Sequence, residues 1–207
     1  MFSCKPFQID DVLKELQSDI YNKDTLFISI LAATPREVFY KKLGKDAKVA
    51  IAIPNLPVKI GMGITSVLYE ERIPILDKLG EIIYVKSMDD LSKLSGIFGS
   101  GTGFVYHILD GYLKAAENLD VQVNKDLQTK DLDYKALVKM LFAGAVGLSD
   151  QEKDVDFATL RQRVCSKKGT TQEGVNAMKY MEPLLDLGIN AAYDRFNEVM
   201  EEKMKEI

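Results

Sequence analysis

An α/β segment followed by an all-helical segment is the fold class that the sequence predicts. Compact apolar, β-rich runs alternate with helix-period stretches as far as about Leu94. Short strand–helix–strand periods of this kind argue for a parallel sheet. Beyond Leu94 no stretch alternates as a strand does, and apolar residues recur at helical spacing instead.

In order, residues 1–6 read as the tail of a strand that stops at Pro6, and Ile9, Val12, Leu13, Leu16 and Ile20 repeat at helical spacing. After the Asn22-Lys23-Asp24 turn, Leu26–Leu31 reads as a buried strand. Thr34-Pro35-Arg36-Glu37 reads as a capping box with proline at the first helical position, opening a helix to about Leu43. Val49–Ile53 is a second buried strand, ended by Pro54-Asn55-Leu56-Pro57. A strand is expected over Ile64–Leu68, then a helix over Ile73–Leu79 closed by Gly80 at its C′ position. Ile82–Val85 is the last strand, and Ser87 with Asp90 caps a helix running through Leu94.

In the helical segment, Phe104, Val105, Ile108, Leu109, Tyr112, Leu113 and Ala116 form one stripe. Leu132–Leu148 is apolar on nearly every face, more than a helical segment this small encloses alone, so a partner chain is implied. Phe157, Leu160 and Val164 mark a short helix, and a last helix runs from about Gly188 to Lys205. Neither a repeat nor a low-complexity linker is present. The domains read as 1–96, an incomplete dinucleotide-binding type, and 97–207, helical.

Composition narrows the function. A net charge of -4 gives no electrostatic case for nucleic acid or an anionic membrane. No apolar run is long enough to span a bilayer, and the N-terminus has no signal pattern. Cys4 and Cys165 lie far apart, make neither a disulfide framework nor a metal site, and fit a reducing cytosol. A soluble cytoplasmic chain is expected. The only histidine, His107, sits off the apolar stripe of its helix and reads as structural. The Asp and Glu residues fall mostly on solvated helix faces, with no metal-ligand or acid–base spacing.

One stretch stands out, Cys165-Ser166-Lys167-Lys168-Gly169-Thr170-Thr171, between two apolar-periodic segments. A Gly-Thr-Thr turn opening a helix offers free backbone N–H groups and two hydroxyls to an anion. An ordinary helix cap is the simpler reading of its shape, and Cys165 beside it reads as a small buried hydrophobe.

Leu160-x-x-x-Val164-Cys165-Ser166-Lys167-Lys168-Gly169-Thr170-Thr171-x-x-Gly174-Val175-x-x-Met178-Lys179 resembles the signature of the pyrroline-5-carboxylate reductase family. The resemblance extends along the whole chain in order. Pro54-Asn55-Leu56-Pro57 is similar to the family's Pro-Asn-Thr-Pro turn, and Gly61-x-Gly63-x-Thr65 follows it at the expected spacing. Leu94-Ser95-Gly96-x-x-Gly99-Ser100-Gly101 resembles the opening of the family's dimerisation domain. Cys4-Lys5-Pro6 and Ile28-Ser29-Ile30-Leu31-Ala32-Ala33 resemble the ends of its fourth and fifth strands. The chain departs where the family has a small residue, usually Gly, and this sequence has Lys168. It also lacks the family's opening Gly-x-Gly-x-x-Gly strand–turn–helix, as if it began at the fourth strand.

The resemblance implies NAD(P)H-dependent reduction of 1-pyrroline-5-carboxylate to proline, with NADPH or NADH as cofactor and a homodimer, or a higher oligomer, built on the helical domain. It implies that Ser166, Gly169, Thr170 and Thr171 bind substrate, the first three at the carboxylate, with Thr171 at the ring nitrogen as the catalytic group. Lys5, Ala32, Ala33 and Asn55 fall where the family's loops approach the nicotinamide. Without a pyrophosphate seat, strand-end packing is the reading favoured for these four, and cofactor binding by this chain alone is not expected. A non-catalytic, dimerising remnant is the alternative.

Overall fold

The computed structural model describes residues 1–5, 8–16, 21–119, 121–127 and 130–206. Of the features expected above, Pro6 and Ile20 lie outside the described residues. The chain divides into two compact units: Met1–Thr102 together with Leu185–Ile207, and Gly103–Leu184. The sequence-order division at 96/97 differs from this one chiefly in the last helix from Leu185, which groups with the sheet-bearing unit although it follows the helical segment.

The first unit is built on a four-stranded sheet of β1 (Leu26–Ser29), β2 (Lys48–Pro54), β3 (Gly63–Leu68) and β4 (Gly80–Val85), in the order β1-β2-β3-β4. β1 pairs β2 in parallel, and β3 pairs β4 in parallel. The expected strand tail before Pro6 survives as a single parallel bridge, Phe2 to Ser29. β2 and β3 are antiparallel, with Ile51 opposite Leu68 and Pro54 opposite Thr65. The sheet is therefore mixed at this one junction. Only residues 55–62 join the two strands, and a parallel crossover needs about a dozen or more.

Alternation along β2 sends its side chains to two cores. Val49, Ile51 and Ile53 join Phe2, Phe27 and Leu68 on one face, while Ala50 and Ala52 join Ile28, Val67 and Leu76 on the other. The first face is covered by α1 (Ile9–Glu15), α2 (Arg36–Leu43) and α3 (Met88–Leu94), which contribute Leu13, Phe39 and Leu91. The Ser87 hydroxyl accepts from Asp90 N at 3.0 Å, as its spacing predicts.

Two local expectations are corrected. Thr34 does not cap α2: Pro35 holds that position, and no side chain supplies a cap. Arg36 fastens the helix start instead, donating to Glu70 Oε1 at 2.7 Å and to Leu68 O at 2.8 Å. The guanidinium in turn holds the Glu70 carboxyl below the usual carboxylate range. Pro74–Leu79 forms a 3₁₀ helix rather than an α-helix; Gly80 ends it as expected, with a φ of 115°, and also begins β4. A Cβ on Gly80 would strike Gly63 O, so the two backbones meet where the helix ends and the strand begins.

A π-helical turn, Ser95–Gly99, follows α3 and leads into α4 (Gly101–Glu117). The last helix, α8, spans Met181–Lys205. It starts earlier than Gly188 because Pro183 suits a first turn. From Leu185 onward it belongs to the first unit, where Tyr193 Oη donates to Asp89 Oδ1 at 2.7 Å and Phe196 is buried.

The second unit consists of α4 from Gly103, α5 (Tyr134–Gln151), α6 (Phe157–Val164), α7 (Thr170–Ala177) and the start of α8. Asp133 and Asp156 cap α5 and α6 by accepting from Ala136 N and Thr159 N, at 2.9 and 2.8 Å. Tyr112 of α4 meets Phe142 of α5 edge-on, with centroids 5.6 Å apart. Arg163 of α6 pairs with Glu152 beyond the end of α5. Val138 is the only α5 residue that is buried among those described. Among the described residues no helix is long and apolar enough to cross a membrane.

Candidate functional site

The turn between α6 and α7 is shaped by backbone more than by side chains. Gly169 N donates to Ser166 O at 2.8 Å, closing residues 166–169 into a tight turn. Lys168 takes a left-handed φ of 60° within it. At Gly169 a Cβ would clash with Ser166 Oγ and stand 2.9 Å from Ser166 O, so any larger residue must shift the turn. Gly169 is also the N-cap of α7 and offers no side-chain acceptor. The first-turn N–H groups of α7 therefore have no side-chain cap, and Ser166, Thr170 and Thr171 are exposed beside them. The simple helix-cap reading is not realised, since none of the three hydroxyls caps α7.

Lys168 is the strained residue of the turn. A left-handed conformation costs a residue with a Cβ about 1–2 kcal/mol, and glycine loses about 0.5–1 kcal/mol of that advantage through its freer unfolded chain. Lys168→Gly is expected to stabilise the protein by roughly 1 kcal/mol, read in thermal unfolding as a rise of about 2–4 °C. An unchanged or lowered midpoint would show that the turn holds lysine without strain.

The nicotinamide-side candidates lie in the first unit. Lys5 is exposed, and its backbone forms a turn in which Lys5 N donates to Gln8 Oε1 and Gln8 N to Lys5 O, both at 2.9 Å. Ala32 is exposed, whereas Ala33 is buried with a left-handed φ of 50°. Asn55 braces the fold. Its Oδ1 accepts from Ile64 N at 2.9 Å, and its Nδ2 donates to Phe98 O at 3.3 Å, tying the π-helical turn to the β2–β3 connection. Asn55→Ala would leave both partners without their bond, at an expected cost of about 2 kcal/mol. A shift of the urea midpoint at constant slope measures it, and no shift would refute the brace.

The residues present do not fit a dinucleotide pyrophosphate. None of the strand-to-helix stretches, before α1, α2 or α3, contains a glycine, and Gly61-Met62-Gly63 leads into a strand. Gly99-Ser100-Gly101-Thr102-Gly103 runs from the π-helical turn into α4, with no strand before it. Among the described residues, no group of three His, Cys, Asp or Glu side chains could hold a metal ion. His107 is exposed on α4.

One cluster has no counterpart in the sequence reading. The buried Thr34 hydroxyl donates to Ala32 O and accepts from Lys203 Nζ, each at 3.1 Å. Lys203 lies 169 residues away in a charged C-terminal run, and no local signal distinguishes it.

An α/β unit is thus followed in the chain by a helical unit that carries a backbone-built turn at an uncapped helix start. The comparison with known proteins is specific. Residues 88–199, more than half of the chain, match the family model for pyrroline-5-carboxylate reductase dimerisation, and the chain belongs to that family. Its sequence is 28% identical over 202 residues to a pyrroline-5-carboxylate reductase of Staphylococcus haemolyticus, covering 92% of this chain and 70% of the relative. A Staphylococcus aureus reductase is 27% identical over the same shares. Among solved structures, a pyrroline-5-carboxylate reductase from Coxiella burnetii superposes with a TM-score of 0.77 at 27% identity, over 95% of this chain and 74% of its own. The Plasmodium falciparum pyrroline carboxylate reductase, solved with NADP bound, superposes with a TM-score of 0.78 over 96% and 79%. At 19% identity, this second structure shows the fold alone.

Proposed function

We propose that these residues form the substrate- and partner-binding part of a pyrroline-5-carboxylate reductase of the cytoplasm, acting in proline formation. Residues 97–207 serve as the dimerisation and substrate-binding domain, and residues 1–96 as the partial dinucleotide domain. The carboxylate of 1-pyrroline-5-carboxylate sits on the turn, held by Ser166, Gly169 and Thr170 through N–H and hydroxyl groups. Thr171 holds the ring nitrogen. The observation that carries this reading is the α7 N-terminus without a side-chain cap behind a glycine whose place a Cβ could take only by shifting Ser166. Lys167 and Lys168 flank the turn and add attraction for an anion. Two copies assemble through the helical domain.

NADPH or NADH is the hydride donor that the family's chemistry calls for, and Lys5, Ala32 and Ala33 stand on its side. Asn55 is committed to the fold. The missing glycine-rich strand–turn–helix favours a second reading, in which these residues alone form a dimerising module without turnover. Two titrations of the 207-residue chain separate them. 1-Pyrroline-5-carboxylate is expected to shift the amides of Ser166–Gln172, while NADPH at about millimolar concentration leaves the chain unchanged and no proline forms. Turnover would overturn the module reading, and an unmoved turn would overturn the substrate site.

A further inference from the structure

The cluster that the proposed function leaves unexplained lies at the carboxyl end of β1. Ala33 there adopts the left-handed φ of 50° without being glycine, and such strain persists only where the surroundings over-determine it. Within the loop the determinants are few. Leu31 N donates to Ser29 Oγ at 3.3 Å, and Pro35 fixes its own φ at -71°. Beyond the burial of Leu31 and Ala33, a further constraint is the Thr34 hydroxyl, which is fully buried and engaged on both sides. It closes the bend by donating to Ala32 O, and it is held from outside by Lys203 Nζ.

Lys203 is itself anchored by the packing of α8. Val199, Glu202 and Lys203 line a groove opposite Ile9 and Leu13 of α1 and Val38 of α2. Its side chain is half-buried, and burial pushes its ammonium pKa down, against Glu206, Asp10 and Cys4, which act to raise it. The ammonium thus reaches the bend from a helix that enters the first unit only at Leu185.

We propose that Lys203 is a positioning residue: through Thr34 it holds the Ala32–Ala33–Thr34 bend in its left-handed form, coupling the end of α8 to the loop at the mouth of the sheet. In open α/β sheets ligands are met outside the carboxyl ends of the strands, so this loop is where a ligand of the first unit would be felt. The inference rests on the proposed function only for that consequence, because its test involves no turnover.

The test is ¹⁵N relaxation on the full chain. In the wild type, the order parameters of Ala32, Ala33 and Thr34 are expected near about 0.85. Lys203→Met is expected to lower them below about 0.6 while Val49–Ile53 of β2 keeps its rigidity. Lys203→Arg restores the loop. Thr34→Val reproduces the loss, and combining it with Lys203→Met adds nothing further, as for two residues acting through one bond. An unchanged loop in Lys203→Met overturns the proposal, and so does an equal loss of order in β2, which would mean that α8 had merely come undocked. If Lys203→Met does not fold, Thr34→Val decides: a loop that stays rigid without the hydroxyl overturns the coupling.

Discussion

Leu141→Glu is expected to turn a dimer into a folded monomer. On α5, Met140, Leu141, Val146 and Leu148 are each at least half exposed in the single chain, and Val138 alone among the described residues is buried. A helix with that much apolar surface open to water is stable when another surface covers it. The glycines point the same way. Gly144 and Gly147 sit inside the helix with nothing where a Cβ would lie, although glycine there costs about 1 kcal/mol against alanine. In the proposed dimer, that open space lets a partner's backbone approach α5 closely. In a two-fold interface each substitution occurs twice. Losing two buried leucines removes roughly 3–6 kcal/mol, and each buried carboxylate adds a desolvation cost, so the dissociation constant should rise by about a thousandfold or more. Sedimentation equilibrium measures it, with circular dichroism to confirm retained helix. A wild type that is monomeric at about 100 µM, or a variant with unchanged association, would refute α5 as the interface.

Much of the sheet unit was legible because its signals are local. Val49, Ile51 and Ile53 alternate with Ala50 and Ala52, and the two sets enter the two cores as the pleat requires. Ser87 and Asp90 cap α3 at the spacing that capping geometry dictates. Where reading failed, a distant partner had won. Thr34 carries the signature of an N-cap, yet its hydroxyl is used by Ala32 O and by Lys203 from the other end of the chain. Gly80 serves as both helix end and strand start, and its close approach to the backbone of Gly63 could not be read from sequence. The reversal of β3 was within reach, since residues 55–62 are too few for a crossover, but hydrophobic pattern carries no strand direction. At the candidate site, the turn at Gly169 could be found from its Gly-Thr-Thr pattern. The left-handed Ala33 could not, because alanine gives no hint of it.

Gly169→Ala is expected to abolish carboxylate binding while leaving the protein folded. The added methyl would clash with Ser166 Oγ and press on Ser166 O at 2.9 Å, so the bond from Gly169 N to Ser166 O, now 2.8 Å, must open. The turn is exposed, and the chain on either side can give way without disturbing a core, so the loss of stability should stay near about 1 kcal/mol. Function is less forgiving. Gly169 sets where α7 begins, and with it the aim of the Thr170 and Thr171 N–H groups and hydroxyls. A displacement of about 1 Å in such donors can cost on the order of a hundredfold. Gly174→Ala supplies the control: it lies in the same helix with open space around it, and alanine there should raise stability by about 0.5–1 kcal/mol. Titration of both variants with 1-pyrroline-5-carboxylate, followed at the Ser166–Gln172 amides, distinguishes an effect on the turn from one on the helix. Binding that survives in Gly169→Ala, or falls equally in Gly174→Ala, would show that the turn does not hold the carboxylate.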